Sequence, residues 1–129
     1  MGIFTHNCVG TNDIERAGRF YDACLAPLDI RRLGDFLDQG LAYGNRAAEF
    51  LVLRPVDGKP AKPGNGVTIG FKAANRAAVS AFHAAGLAAG GSDAGAPGPR
   101  GAVPHAFGGY LLDPDGNKIC AYCFKPPQD

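Results

Sequence analysis

The sequence predicts an α+β domain assembled from two βαβββ modules, and three observations carry that expectation. A helix-like segment recurs 62 residues later with its apolar pattern kept, short strand-like runs precede and follow both copies, and a Pro/Gly-rich connector separates the halves.

The first module spans about 3–54. Phe4 to Val9 reads as its opening strand. The helix follows, with Ile14, Ala17, Phe20, Tyr21 and Leu25 at helical spacing, and Asn12 with Glu15 forms a capping box at its start. Three strand-like runs come next, roughly Asp29 to Leu33, Gly40 to Gly44 and Glu49 to Arg54. Residues 55–66 carry Pro55, Pro60, Pro63 and three glycines without periodicity, so they read as a linker. It joins two halves of one domain covering 1–129, because neither half alone buries a sheet face.

The second module spans about 67–125. Val67 to Lys72 is its first strand, placing Thr68 on His6 and Gly70 on Cys8. Its helix carries Ala78, Val79, Phe82 and Ala85, so Phe82 falls on Phe20, and Asn75 is its cap. Tyr21 and His83 take matching helix positions and read as surface or packing residues. Gly90 to Gly108 is rich in Gly and Pro and reads as a long irregular loop, functional or mobile. Gly109 to Leu112 and Lys118 to Phe124 are strands joined by Asp113-Pro114-Asp115-Gly116-Asn117, whose chemistry suits a hairpin turn.

Bulk properties exclude several classes of function. Thirteen basic residues balance 12 acidic ones, and no Lys/Arg cluster suggests nucleic acid as a partner. No apolar run is long enough for a bilayer, so no membrane association is expected. The N-terminal residues lack the charged start and apolar core of a signal peptide, which places the expected compartment in the cytoplasm with reduced thiols. Cys120 and Cys123 have C-x-x-C spacing, but on a strand residues three apart face opposite sides. Buried thiols without a disulfide are therefore expected.

The repeat, His6 in the first strand, the helix with Arg19-Phe20-Tyr21 and the Asp113-Pro114-Asp115-Gly116-Asn117 turn together resemble the glyoxalase/bleomycin resistance protein/dioxygenase (vicinal oxygen chelate) superfamily. The resemblance covers nearly the whole chain. It implies that the two modules form a glyoxalase-like open barrel around a central cavity, with a small-molecule ligand inside and a homodimer as the assembly. In the superfamily's metal enzymes, His, Glu or Gln side chains on inner strands hold a divalent ion that acts as a Lewis acid. By position the ligands become His6, Glu49 (or Leu51), Thr68 and Cys120. Thr and Cys depart from the usual set, so the metal site is expected to be degenerate and no cofactor is expected. The alternative is a Zn, Mn, Ni, Co or Fe lyase, isomerase or dioxygenase using His6, Glu49 and Cys120.

The candidate residues each carry a functional and a bland reading. His6 and Cys8 share a strand face; His6 is a ligand, a general base, a substrate hydrogen-bond donor or simply a pocket histidine. Cys120 is a nucleophile if a nearby base lowers its pKa, or a small pocket-lining thiol. Tyr122 shares its face. Arg100 and His105 lie in the long loop and suit an anionic or carbonyl ligand, or are merely solvated. The expected function is binding of a small organic ligand in the cup by His6, Cys8, Thr68, Arg100, His105, Cys120 and Tyr122.

Overall fold

The computed structural model describes residues 2–127. It contains the βαβββ unit twice. In the first half, β1 (Asn7–Gly10) leads through α1 (Ile14–Leu25) and a 3-10 turn (Ala26–Leu28) to β2 (Arg31–Phe36), β3 (Gly40–Gly44) and β4 (Ala48–Leu53). In the second, β5 (Ile69–Lys72) leads through α2 (Arg76–Ala88) to β6 (Ser92–Pro99), β7 (Phe107–Leu112) and β8 (Lys118–Cys123). Each half forms its own four-stranded sheet, in the orders β1-β4-β3-β2 and β5-β8-β7-β6. The first strand runs parallel to the last in both, and the other neighbours are antiparallel. The two ladders remain separate, which leaves the barrel open.

The repeat is a repeat of burial. Ala17, Phe20, Tyr21 and Cys24 form the buried stripe of α1, and Val79, Phe82, His83 and Gly86 form that of α2, each pair separated by the same 62 residues. Helical spacing puts such a set on one face. That face packs on Leu41, Tyr43, Phe50 and Val52 in one half and on Leu111, Ile119, Ala121 and Cys123 in the other, within a single core. Gly86 permits a close approach of α2 to the sheet: a Cβ there would lie 2.3 Å from Leu111 Cδ1. Tyr21 and His83 are thus core residues rather than surface ones. His83 keeps its ring satisfied by Asp93, 2.8 Å from Nε2.

The turn at 113–117 does more than close a hairpin. Buried Asp113 accepts the Tyr21 hydroxyl at 2.6 Å, the Asn117 side-chain amide at 2.9 Å and the backbone amides of Asp115 and Asn117 at 2.9 Å each. Asp115 accepts from the Thr11 hydroxyl, the Asn12 amide and Arg16. Asn117 also donates to the Gly10 carbonyl at 2.8 Å. One hairpin turn therefore fastens the end of the second half to the start of α1 in the first.

Several sequence expectations are corrected. The stretch from Gly90 to Gly108 is not structureless: β6 occupies Ser92–Pro99, paired with β7 through two irregularities in register. Its glycines and prolines hide the strand from propensity, and pairing with β7 overrides them. The α1 cap is Asp13, whose side chain accepts the Arg16 amide, not Asn12. Asn12 instead exchanges two hydrogen bonds with the backbone of Ala61. Strands β1 and β5 begin later than expected, leaving His6 and Thr68 just before them. Asn75 caps α2 as expected.

Candidate functional site

A cavity of about 500 Å³ lies where the two halves meet. His6 and Asn7 reach it from the start of β1, Glu49 and Phe50 from β4, and Phe71 and Lys72 from the end of β5. The Phe50 and Phe71 rings meet edge to face at 5.1 Å across the junction, giving an aromatic floor. Phe4 and Thr5, in the arm before β1, line it as well. The arm fixes the His6 ring: Thr5 Oγ1 lies 3.0 Å from its Nδ1. Glu49 is exposed at the outer end of β4, so its charge needs no buried partner. An imidazole, a carboxylate, an ammonium group and an amide thus ring an apolar base. Such a set can orient a polar ligand.

The other sequence candidates fall elsewhere. Cys120, Tyr122 and Arg100 gather around Tyr110. Tyr110 lies opposite Cys120 in the ladder, its hydroxyl is 2.5 Å from that of Tyr122, and the Arg100 guanidinium stands 5.6 Å from its ring centre. Arg100 also donates to the carbonyls of Ala96, Gly98 and Pro99. Cys8 is exposed and faces a small crevice between β1 and β5 beside Lys118. Thr68 is exposed in a separate hollow with Pro63 and Gly116. His105 is exposed in the β6–β7 turn at φ 63 and lines none of these. Asn7, Phe71 and Lys72 went unnoticed in the sequence. Lys72 carried a signal: it shares strand parity with Thr68 and Gly70.

Ladder register tests the donor set for a metal. Cys8 faces Leu51 and Gly70 faces Cys120, so Cys120 matches Leu51 in the other half, and Glu49 matches Lys118. The pseudo-symmetric positions therefore hold His6, Thr68, Leu51 and Cys120. Burial pushes the Cys120 thiol up to about 11, so it is protonated at neutral pH, against a smaller opposing effect of Lys118. A neutral hydroxyl and an alkyl chain do not suit a divalent ion, and one buried thiol beside them departs from the usual ligand set. Among the described residues no three His, Cys, Asp or Glu side chains converge as metal ligands. The residues present do not fit the superfamily's metal.

The thiols give a first prediction. Cys8 is exposed and Cys120 is 5% exposed, so iodoacetamide at pH 7.5 should label Cys8 at least about tenfold faster. Peptide mass mapping reads this, and equal rates would show that β8 is not packed as described. A thiol raised by folding contributes stability below its ordinary pKa of 9.0 and loses it as pH climbs through about 11. Cys120→Ser should accordingly flatten the alkaline end of the stability profile. All four cysteines are free, with Cys120 and Cys123 on opposite faces of β8.

A crystal structure of a glyoxalase/bleomycin resistance protein from Albidiferax ferrireducens is 43% identical, with a TM-score of 0.85, over 94% of this chain and 98% of that one. The chain belongs to the glyoxalase/bleomycin resistance protein family. It lies within the vicinal oxygen chelate superfamily. A glyoxalase/bleomycin resistance protein/dioxygenase family enzyme from Burkholderia phytofirmans shares the fold, with a TM-score of 0.71 at 14% identity over 94% and 98% of the two chains. So does a glyoxalase I mutant from Zea mays, with a TM-score of 0.62 at 18% identity over 91% of this chain and 45% of that one. No protein-family model matches the chain, and no curated protein does. Among the described residues, no helix is long and apolar enough to cross a membrane.

Proposed function

We infer that this member of the family binds a small organic ligand in the cavity between its halves without a resident metal. The observation that carries this reading is the cavity itself: about 500 Å³, with His6, Glu49 and Lys72 around the Phe50 and Phe71 rings. Ligand sites have this size and this mixture of apolar wall with a few placed polar groups. The donor chemistry of Thr68, Leu51 and Cys120 supports the metal-free part.

A thermal-shift screen of small polar organic compounds tests it. A true ligand at a hundred times its dissociation constant adds about 2.7 kcal/mol of stability. His6→Ala and Lys72→Ala should each reduce that shift while leaving the unliganded melting temperature nearly unchanged, because both side chains are exposed. Hits whose shifts survive both substitutions bind elsewhere and would overturn the site. Tight stoichiometric binding of Zn, Mn, Ni, Co or Fe in calorimetry would overturn the metal-free reading and favour a metal-dependent lyase, isomerase or dioxygenase.

The proposal includes a homodimer. The chain exposes 7639 Å², whereas a compact monomer of 13.4 kDa exposes about 6,500 Å². Leu33 and Phe36 add apolar area on β2, each more than a third exposed. A second copy seated on β2 would cover this apolar area, and light scattering on the screened sample measures it; a monomer at high micromolar concentration would retire the dimer.

A further inference from the structure

We propose that the hollow between the tip of the β2–β3 hairpin and the linker is a second binding site, taking a small zwitterion such as an aliphatic amino acid. It is separate from the cavity between the halves and does not depend on the function proposed for that cavity.

The hollow measures about 440 Å³ and lies beyond the end of β4. Phe50 and Val52 point into the core, so alternation carries Arg54 to the helix side of the sheet, away from the face of Leu51 and Leu53. Thr11 and Asn12, at the entry to α1, line the hollow from that side. None of the residues around the cavity between the halves takes part.

Both walls are fixed before any ligand arrives. The hairpin tip is tied to β4 by the Arg54 amide, which donates to the Gln39 carbonyl at 2.9 Å. Leu37 in that tip sits at φ 51, a left-handed conformation that is strained for a leucine and persists only where its surroundings hold it. The opposite wall is the linker, which runs without regular structure from residue 54 to residue 68. Its prolines stiffen it, the Gly58 amide closes a turn on the Pro55 carbonyl at 3.0 Å, and Asn12 pins Ala61 with two hydrogen bonds of 2.7 and 3.1 Å. Irregular segments of this length inside a small domain are usually functional, and this one is anchored where it borders the hollow.

Charge then selects the ligand. Asp38 lines the hairpin wall, and Arg54 and Lys59 line the wall across from it. Among the described residues none of the three forms an ion pair, so opposite charges share one hollow without closing on each other. Asp57, the neighbouring acid, is engaged by the Lys59 backbone amide at 2.9 Å. A carboxylate toward Arg54 and Lys59 and an ammonium toward Asp38 would compensate all three groups. Pro55, Val56 and Pro60 give the remaining wall an apolar surface for a short aliphatic group, and the volume suits a ligand of that size.

Titration of the full chain with L-valine, followed by amide NMR, tests this, with isovalerate and isobutylamine as its anionic and cationic halves. The expected result is saturable binding of valine that shifts the amides of Gln39, Val56 and Lys59 and spares Phe71 and Lys72 in the cavity. Valine should bind about fivefold tighter than either half, the upper value of one further exposed ion pair. Asp38→Asn should bring valine down to the affinity of isovalerate, and Arg54→Gln with Lys59→Gln should bring it down to that of isobutylamine. All three positions are exposed, so the spectrum of the free protein should stay unchanged away from the hollow. The proposal is overturned by no saturable binding, by shifts centred on the cavity, by equal affinity for the three probes, or by an unchanged preference for valine over isovalerate in Asp38→Asn.

Discussion

Phe20→Ala and Phe82→Ala are each expected to destabilise the protein by about 3–5 kcal/mol, the usual range for deleting a fully buried aromatic ring. Both rings are 0% exposed, on the inward stripes of α1 and α2. Phe20 meets Tyr21 edge to face at 4.8 Å, and its Cε1 lies so near Gly91 that a Cβ there would come within 2.5 Å. Little slack exists for the surroundings to collapse into the void, which places the cost toward the upper end. With a total stability of about 5–15 kcal/mol typical of such a domain, either substitution removes a large share. Val56, 94% exposed in the linker, is the control, and Val56→Ala should stay within about 0.5 kcal/mol. Urea unfolding followed by circular dichroism measures all three. Losses below half a kcal/mol at both phenylalanines would mean that the two helices do not share one core.

The repeat was legible because it is written in large side chains at helical spacing, and burial is what those side chains are for. The interval that relates the helices also carries Asn7–Gly10 onto Ile69–Lys72, residue for residue. It then breaks. The turn before β7 is longer than its counterpart before β3, so the last two strands slip, and Cys120 matches Leu51 rather than Glu49. A sequence offset cannot register that slip, because pairing is set by the turn at 113–117 and by bulges in β6. Strand β6 itself was illegible: Gly95, Pro97, Gly98 and Pro99 disfavour a strand locally, and only the adjacent β7 makes one.

The candidate site was legible in part for a related reason. His6 and Glu49 were marked by residue type, and both line the cavity between the halves. Lys72 and Phe71 needed the relative placement of β1 and β5, two edges that share no hydrogen-bond ladder. The cluster at Tyr110 needed the β7–β8 register. The same turn that sets that register also ties the modules together, through the buried Asp113 carboxylate and its four donors.

Asp113→Ala should cost about 3–5 kcal/mol, comparable to losing a core ring, because it strips a buried carboxylate from four donors at once. The Tyr21 hydroxyl would be left buried without a partner. Burial first, and then the Asp113 charge, hold the Tyr21 phenol far above its ordinary pKa, so the proton stays on Tyr21 and the bond is donated to the carboxylate. Removing that one donor with Tyr21→Phe should cost less, about 1.5–3 kcal/mol, the range for a hydrogen bond to a charged group. The double variant should then be less destabilised than the sum of the two, with a coupling of about 0.5–3 kcal/mol, since each deletion relieves the other's unpaired group. Asp113→Asn should fall between: its carbonyl oxygen still accepts the amides of Asp115 and Asn117, while its amide faces Tyr21 and Asn117, both donors in the native arrangement. Chemical denaturation of the four variants gives the cycle. Additive losses, or a cost below 1 kcal/mol for Asp113→Ala, would show that the turn closes its hairpin without holding the halves together.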